Sequence, residues 1–209
     1  MKPTIVLFNY NPVAETACCN GMIEALNKYY KFIIFSHKTI SKVNFNKVSA
    51  VAFPGGKGDA DIFDTILANK SNIIRQYVNN GGKYLGICMG AYWASKYYFN
   101  LLDNVDVVQY IKRPGAEVRR SYNTTLKVKW KNIDTDMFFF DGCTFVGKKF
   151  KTIAKYANGD SMAIVQNNVG LIGCHPESRE NWYTRKYLKS RWHQGMHHKL
   201  LQEFVDTLL

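Results

Sequence analysis

Cys88 lies between two glycines, Gly86 and Gly90, where an apolar run gives way to a helical pattern. A nucleophile flanked by small residues at a strand-to-helix junction is typical of a nucleophile elbow, in which a tight turn holds the reactive side chain above the sheet edge. The first N–H groups of the following helix favour a thiolate over a thiol. Cys88 is therefore the candidate nucleophile, although a buried structural cysteine between two packing glycines gives the same motif.

His175 and Glu177 form the second candidate motif, directly after the apolar run at residues 169–173. A histidine at the carboxyl end of a parallel strand lies on the edge where ligands bind in open α/β sheets. A glutamate two residues later can accept a hydrogen bond from the ring nitrogen that does not face the sulfur, which stabilises the imidazolium. These two residues are the candidates for a general base and for the group that orients it.

The third motif is Pro54-Gly55-Gly56, which also follows an apolar run. Two consecutive glycines let the backbone approach a ligand closely and direct N–H groups at a developing oxyanion. Each of the three strand-end motifs suits one role in a cysteine acyl-transfer site. Packing could explain any one of them, but it is a less satisfactory explanation for all three together.

The elements that must position these motifs alternate along the first hundred residues. Apolar runs predict strands at residues 5–8, 32–35, 48–53 and 84–87, and helical patterns cover about 15–29, 61–78 and 89–98. Nearly all-apolar strands that alternate with helices indicate a parallel sheet covered by helices on both faces.

The middle of the chain has a different pattern. Short strands are predicted at residues 105–111, 125–130, 137–140, 143–146, 152–156 and 162–165. Turn pairs such as Asp141-Gly142 indicate antiparallel hairpins. The apolar pattern returns at 169–173, and a last helix is predicted over about 196–209. We expect one α/β domain over residues 1–209, with an antiparallel β-rich insertion at about 104–166.

The composition excludes several classes of protein. A chain of 209 residues with 46% hydrophobic and 21% charged residues is not intrinsically disordered and can bury a core without disulfides or metals. No apolar run approaches the roughly 18 residues of a membrane span. The run at residues 4–8 is too short for a secretory signal, whose apolar part needs roughly 7 residues. Five irregularly spaced cysteines predict free thiols and a cytoplasmic location.

The net charge of +12 is concentrated in residues 112–131 and 179–199. Within the first segment, Lys127, Lys129 and Lys131 alternate with apolar residues, which predicts a solvated strand face rather than a nucleic-acid site. In the second segment, basic and aromatic residues at 182–192 could stack on single-stranded nucleic acid, but a partly buried amphipathic helix explains them more simply.

Two further groups have spacings that could bind a ligand. His193 and His197 are four residues apart, a metal-ligand spacing. No adjacent carboxylate or cysteine completes a set, so we interpret them as solvent-exposed and predict no metal. Asp59 and Asp61 either border the pocket, where they would repel anionic substrates, or cap the next helix, which is the interpretation we favour.

Cys18 and Cys19 are adjacent near a predicted helix start. A vicinal pair could be redox-active, but small apolar packing residues are the simpler interpretation.

Taken in order, the three motifs resemble the class I glutamine amidotransferase superfamily, and within it the biotin–protein ligase N-terminal-like family. The further matching segments are Tyr10-Asn11, residues 81–92, residues 139–142, residues 154–156 and residues 163–165, so that the resemblance covers most of positions 4–180. It implies a flavodoxin-like parallel sheet sandwiched by helices. It also implies a Cys88–His175–Glu177 triad, with oxyanion donors from the Gly55-Gly56 loop and from the Met89 amide.

One position departs from the family pattern. Glutamine-hydrolysing members usually carry Gln four residues after the nucleophile, where this chain has Tyr92. This departure is compatible with cysteine chemistry, but it removes a residue that helps those members hold glutamine. We expect Tyr92 near the pocket, where its hydroxyl can replace the missing amide as a donor.

The leading hypothesis is a cysteine hydrolase that needs no cofactor. Cys88 would attack a carboxamide or related acyl carbon of a small molecule, and the oxyanion would rest on the N–H groups of Gly56 and Met89. The alternative is a catalytically silent module that binds a small ligand or a partner protein. The third hypothesis is peptide-bond hydrolysis, as in the intracellular protease branch of the superfamily. Glu177 in the His175-Pro176-Glu177 motif favours the amidotransferase branch instead.

Biotin ligation is not predicted for this chain. The sequence contains no Gly-Arg-Gly-Arg-type loop, and the ligase-like segment at residues 129–132 lacks the proline of the ligase motif.

Overall fold

Five parallel strands form the part of the sheet that carries the three motifs. The computed structural model describes residues 2–10 and 16–209. The parallel strands are β1 (Thr4–Phe8), β2 (Lys31–Phe35), β3 (Ala50–Phe53), β4 (Lys83–Ile87) and β11 (Val169–Ile172). They lie side by side in the order β2-β1-β3-β4-β11. All three motifs follow β3, β4 or β11, so they meet at the carboxyl edge of three adjacent strands.

Helices cover both faces of these strands, because successive strand side chains point to opposite faces. The helices are α1 (Thr16–Leu26), α2 (Ile62–Ile66), α3 (Ser71–Asn79), α4 (Met89–Trp93) and α5 (Met196–Leu208). Helices α1 and α5 pack in one hydrophobic cluster, and α2, α3 and α4 pack in the other. In β1, Leu7 belongs to the first cluster and Phe8 to the second. The predicted helix-sheet-helix arrangement is therefore confirmed.

The remaining six strands are antiparallel. They are β5 (Val105–Gln109), β6 (Thr124–Trp130), β7 (Ile133–Phe139), β8 (Cys143–Gly147), β9 (Lys151–Tyr156) and β10 (Ser161–Gln166). Strand β10 pairs with β11 and extends the sheet through β9 and β6 to β7, while β8 pairs with β10 and β5. The predicted β-rich insertion into the α/β fold is confirmed.

The lysine strand has the predicted alternation. Leu126, Val128 and Trp130 are buried, whereas the intervening lysines are exposed. Lys127 pairs in register with Asp136 and Lys129 with Asp134 on β7, so carboxylates lie opposite the positive charges.

Three predicted helical stretches differ from their sequence patterns. The stretch at 61–78 is two helices, α2 and α3, joined by a 3-10 turn at Ala68–Lys70. Helix α4 ends at Trp93 rather than near Tyr98, because the chain turns there to bury Phe99 against Phe53 and Phe63. The first helix ends at Leu26, and its predicted start at Glu15, like the matching residue Asn11, lies outside the described residues.

The covering of the sheet is incomplete at one edge. Strand β2 has a partner on one side within the described residues, and its Ile33 and Ile34 are 44% and 48% exposed. Strand β2 therefore lies at the edge of the covered sheet, and its apolar side chains are only partly covered.

The aromatic and basic segment near the C-terminus also differs from its prediction. Instead of an amphipathic α-helix, residues 182–192 contain 3-10 turns at Glu180–Tyr183 and Lys189–Arg191. Tyr183 and Leu188 are buried and pack with Phe138. None of the helices in residues 2–10 and 16–209 has the length and apolarity needed to cross a bilayer.

Candidate active site

Cys88 occupies a strained turn between β4 and α4. Its backbone has φ 51° and ψ −107°, a combination that non-glycine residues rarely adopt and that costs about 1–3 kcal/mol. Its N–H donates to the carbonyl of Ile172 at 2.8 Å, which ties the turn to β11. The thiol is thus held at a fixed place on the sheet edge by the neighbouring strand.

The two flanking glycines are required by close contacts. A β-carbon on Gly86 would lie 2.5 Å from the Gly90 carbonyl oxygen, and one on Gly90 would lie 2.0 Å from the Phe53 carbonyl oxygen. Real Cβ atoms do not approach so closely, so the small residues in the motif are needed for the strand and helix to pack.

His175 and Glu177 form a buried hydrogen-bonded pair. His175 Nδ1 lies 2.8 Å from Glu177 Oε1, and the two side chains are 6% and 0% exposed. The His175 N–H donates to the carbonyl of Phe138 at 2.9 Å, which fixes the start of the motif on β7. Because Glu177 occupies Nδ1, Nε2 is the nitrogen left for another partner.

Two thiols lie within hydrogen-bonding reach of this imidazole, those of Cys88 and Cys18. Burial alone would lower the pKa of His175. The charges of Glu177 and Cys88 outweigh burial, with help from the hydrogen bonds to both thiols, and raise that pKa well above its usual value. The environment therefore favours an imidazolium at neutral pH.

Of the two thiols, only that of Cys88 borders open space. Cys88 lines a cavity of about 430 Å³. Cys18 is 3% exposed and does not line this cavity, and burial raises its pKa to about 11. Cys18 is thus a neutral thiol at physiological pH. The interpretation of Cys18 as a packing residue was incomplete, because its sulfur contacts the candidate base.

The glycine loop and Met89 lie around the same sulfur. A β-carbon on Gly55 would lie 2.7 Å from His175 Cε1 and 2.9 Å from Cys18 Sγ, so Gly55 makes room for the imidazole. Gly56 and Met89 line the cavity beside Cys88. Met89 is the first residue of α4, where a helix provides no partner for the N–H group.

The far side of the cavity comes from the turn between β7 and β8. The Phe140 carbonyl lies 3.8 Å from Cys88 Sγ, and the Asp141 carbonyl accepts a 3.4 Å hydrogen bond from the Tyr92 hydroxyl. Gln109 Nε2 lies 3.3 and 3.2 Å from the two carboxylate oxygens of Asp141. Tyr92 is near the cavity as expected. In the sequence, Asp141-Gly142 is a turn pair within a segment that matches the family, without a predicted role at the site, and no signal pointed to Gln109.

Asp59 and Asp61 do not have the helix-capping role that we favoured from the sequence. Asp61 precedes α2 but makes no capping hydrogen bond with its side chain, and instead accepts one from the Tyr98 hydroxyl at 2.6 Å. Asp59 accepts a 3.2 Å hydrogen bond from the Asp61 N–H and also lines the cavity. For Asp59 the pocket interpretation is correct.

The C-terminal histidines are buried, which contradicts the expected exposure. His193 and His197 are 9% and 0% exposed, and their rings stack at 4.0 Å. His193 Nε2 lies 3.1 Å from the Ser178 carbonyl, and His197 Nε2 lies 2.8 Å from Thr135 Oγ1. Burial lowers the pKa of His193 to about 4 and that of His197 to about 3.

One group of described side chains has the spacing of metal ligands. Cys18, His175 and Glu177 each offer one atom, and these atoms all lie within 4.8 Å of one another.

Comparison with known proteins agrees with this geometry. The profile of the family described as biotin-protein ligase, N terminal, matches residues 10–113. No curated protein matches the chain in sequence.

Three solved structures are similar over the whole chain. They are a glutamine amidotransferase from Thermotoga maritima (12% identity, TM-score 0.69, 100% of this chain and 98% of that one), PurLQS from Thermotoga maritima (13%, 0.68, 100% and 100%) and a glutamine amido transferase from Methylobacillus flagellatus (12%, 0.65, 100% and 96%). At these identities the similarity shows the fold. The chain has the class I glutamine amidotransferase-like fold and, over residues 10–113, belongs to the biotin–protein ligase N-terminal family.

Proposed function

We propose that this chain is an amidotransferase-like cysteine hydrolase that acts on a carboxamide or a related acyl carbon. The observation that carries the proposal is the position of Cys88, in a strained turn between an open cavity and the buried His175–Glu177 pair. A turn of this kind between strand and helix has the features of a nucleophile elbow.

In the proposed reaction, the Cys88 thiolate attacks the acyl carbon and the carbonyl oxygen becomes a tetrahedral oxyanion. The N–H groups of Gly56 and Met89 would stabilise that oxyanion, and each such donor is worth about 3–4 kcal/mol. The His175 imidazolium gives its proton to the leaving amine, and a thioester remains on Cys88.

Hydrolysis of the thioester completes the cycle. His175, now neutral, takes a proton from water, whose oxygen attacks the thioester carbon. Collapse of the second oxyanion releases the acid and the Cys88 thiolate, and His175 is again protonated. Glu177 keeps the ring oriented and stabilises its charged form throughout.

Glutamine is not the proposed substrate, because Tyr92 stands at the position of the usual Gln and its hydroxyl donates a hydrogen bond to the Asp141 carbonyl. Biotin ligation is not part of it either, since this chain carries no adenylate-binding Gly-Arg-Gly-Arg run.

A catalytically silent binding module is the second candidate. The observation that favours it is the covering of Cys88, which is 7% exposed and has the Phe140 carbonyl 3.8 Å from its sulfur. In such a module the cavity would bind a ligand without acyl transfer.

Acylation by p-nitrophenyl acetate separates the two candidates. The hydrolase predicts a burst of one p-nitrophenol per chain, an acetyl group on Cys88 by mass spectrometry, and slow turnover. Cys88→Ser abolishes the burst. Cys19→Ser is the matched control and retains it, since Cys19 is a buried thiol that donates to the Phe8 carbonyl away from the cavity. An unmodified Cys88 after prolonged exposure of the folded chain would overturn the hydrolase.

A further inference from the structure

Helix α1 packs directly on the His175–Glu177 pair. Cys18 and Gly21 are one helical turn apart and therefore share a face of α1. The Cys18 sulfur reaches His175, while Gly21 lies so close to Glu177 that a β-carbon would be 3.2 Å from Glu177 Cγ. This face of α1 thus completes a closed shell around the imidazole.

The shell holds more potential anionic ligands than a proton relay uses. A relay needs one acceptor for the proton on Nδ1, and Glu177 Oε1 supplies it at 2.8 Å. Glu177 Oε2 is also fully buried and has no hydrogen-bond partner among residues 2–10 and 16–209. Cys18 adds a sulfur, and the sulfur, the imidazole and the carboxylate place their ligand atoms within 4.8 Å of one another. A buried carboxylate oxygen without a partner is costly unless a cation or proton is available to it.

We propose that Cys18, His175 and Glu177 form a metal site that takes a thiophilic divalent cation, Zn²⁺ above all. A thiolate, an imidazole and a carboxylate are the ligand types that Zn²⁺ accepts in tetrahedral sites, with bonds of roughly 2.0–2.3 Å. Modest movement of three atoms already within 4.8 Å brings them to such distances.

Charge balance supports a divalent ion in this buried place. Two negative ligands, the Cys18 thiolate and the Glu177 carboxylate, neutralise a dication, and the neutral imidazole adds no charge. On binding, the metal displaces two protons, that of the Cys18 thiol and that of the His175 imidazolium.

Metal binding and the proton relay exclude each other. A metal on His175 displaces a ring proton, so the ring is no longer the imidazolium that the relay needs, and the metal draws the Glu177 carboxylate away from its orienting role. The metal-loaded chain is therefore an inactive form, and the ion is an inhibitor rather than a catalytic metal. The binding claim itself does not rest on the proposed hydrolase.

Cobalt substitution tests the site without any substrate. Co²⁺ added to the metal-free full chain should give one tightly bound ion, visible d–d bands of a tetrahedral site, and a near-ultraviolet thiolate-to-cobalt charge-transfer band. Zn²⁺ should erase these bands by displacement. Cys18→Ser should remove the charge-transfer band, and Glu177→Gln should weaken Co²⁺ binding by at least about tenfold.

Two matched variants keep the test specific. Cys19→Ser removes the neighbouring buried thiol and Cys88→Ser removes the candidate nucleophile, and both should retain the band. A band lost in Cys88→Ser but kept in Cys18→Ser would overturn the proposal, as would a wild-type chain with no thiolate–cobalt band. Circular dichroism of each variant shows whether a lost band reflects a lost ligand or a lost fold. Should Cys18→Ser fail to fold, Co²⁺ protection of Cys18 from alkylation in the wild-type chain gives the same decision.

A second readout applies if the acylation burst is observed. Zn²⁺ should suppress the burst in the wild-type chain, and half-suppression in Cys18→Ser should need at least about tenfold more Zn²⁺. Absence of any burst would count against the hydrolase and leave the cobalt result unaffected.

Discussion

Gly21 and Glu177 are in direct contact across 156 positions of sequence: a β-carbon at residue 21 would lie 2.4 Å from the Glu177 carbonyl oxygen. The contact belongs to a series along one face of α1, in which Cys18 meets His175 and Glu24 bonds to Arg179 at 2.6 Å. The position of the triad carboxylate thus depends on the docking of the first helix.

Gly21→Ala should therefore destabilise the protein and disturb the candidate site together. The added methyl group must displace a backbone carbonyl, and such overpacking costs about 1–3 kcal/mol. Urea unfolding measures the stability, and the p-nitrophenyl acetate burst measures the site. Asn20→Ala, an exposed change in the same helix, should stay within about 0.5 kcal/mol of wild type. Equal stability of the two variants would show that the Gly21 contact is not tight.

The raised pKa of His175 predicts that its imidazole stays protonated at pH 7, where a histidine with the usual pKa of roughly 6.5 is mostly neutral. Nuclear magnetic resonance of the chain labelled with ¹⁵N-histidine follows the titration of this ring. We expect the His175 resonances to keep the values of an imidazolium from pH 6 to pH 7.5. A ring that loses its proton near pH 6.5 would contradict the ion pair with Glu177.

Glu177→Gln provides the control for that titration. The Glu177 carboxylate is a principal cause of the raised pKa of His175, so its loss makes the imidazolium less stable. The His175 resonances should then lose the imidazolium values at a lower pH than in the wild-type chain. An unchanged titration would show that the carboxylate does not stabilise the imidazolium.

The acidic lining of the cavity predicts a preference for cationic reagents. Asp59 and Asp141 line it, and within residues 2–10 and 16–209 none of its lining residues is a lysine or an arginine. Cationic trimethylammonium-ethyl methanethiosulfonate should modify Cys88 at least about tenfold faster than the anionic sulfonatoethyl reagent. The net charge of +12 alone would give the opposite order.

Asp141→Asn should reduce that ratio several-fold. Asp106→Asn removes an exposed carboxylate that pairs with Lys96 and does not line the cavity, so it should leave the ratio unchanged. A faster anionic reagent would show that the two carboxylates do not control the cavity.

The buried histidines predict acid sensitivity. The pKa values of His193 and His197, about 4 and about 3, lie below the usual 6.5, so the unfolded chain binds more protons than the folded chain at pH 5. Their stabilising contribution is complete above pH 6.5 and is lost as the pH falls towards 4. The raised pKa of His175 opposes this slightly. Urea unfolding should show about 2–3 kcal/mol less stability at pH 5 than at pH 6.5.

His197→Gln isolates one of the two contributions. Glutamine does not titrate and can still bond to Thr135, so the loss between pH 6.5 and pH 5 should fall by about half. An unchanged slope in this variant would assign the acid sensitivity to other groups.

The strands and the three strand-end motifs were predictable because their signals are local. Apolar runs set the strands to within a few residues, and the strand β6 alternation placed its lysines correctly. Helix ends were less predictable. No glycine or proline marks the break after α2, and α4 stops at Trp93 because Phe99 joins a distant aromatic cluster.

Contacts between distant segments could not be read from the sequence. Cys18 reaches His175 only because α1 docks on the loop after β11. His193 and His197 have the spacing of an exposed helical pair, yet their rings stack on each other, Trp192 packs against His193, and both histidines are buried. Gln109 and Asp141 come together through the pairing of β5 with β8.

The sulfur and the imidazole follow neighbouring parallel strands, whereas Phe140 and Asp141 come from the antiparallel β7–β8 turn. The wall of the cavity and the reacting atoms thus belong to two separate parts of the sheet. A substitution at Phe140 or Asp141 can therefore alter which molecules reach the sulfur while Cys88 and His175 keep their places on the parallel strands.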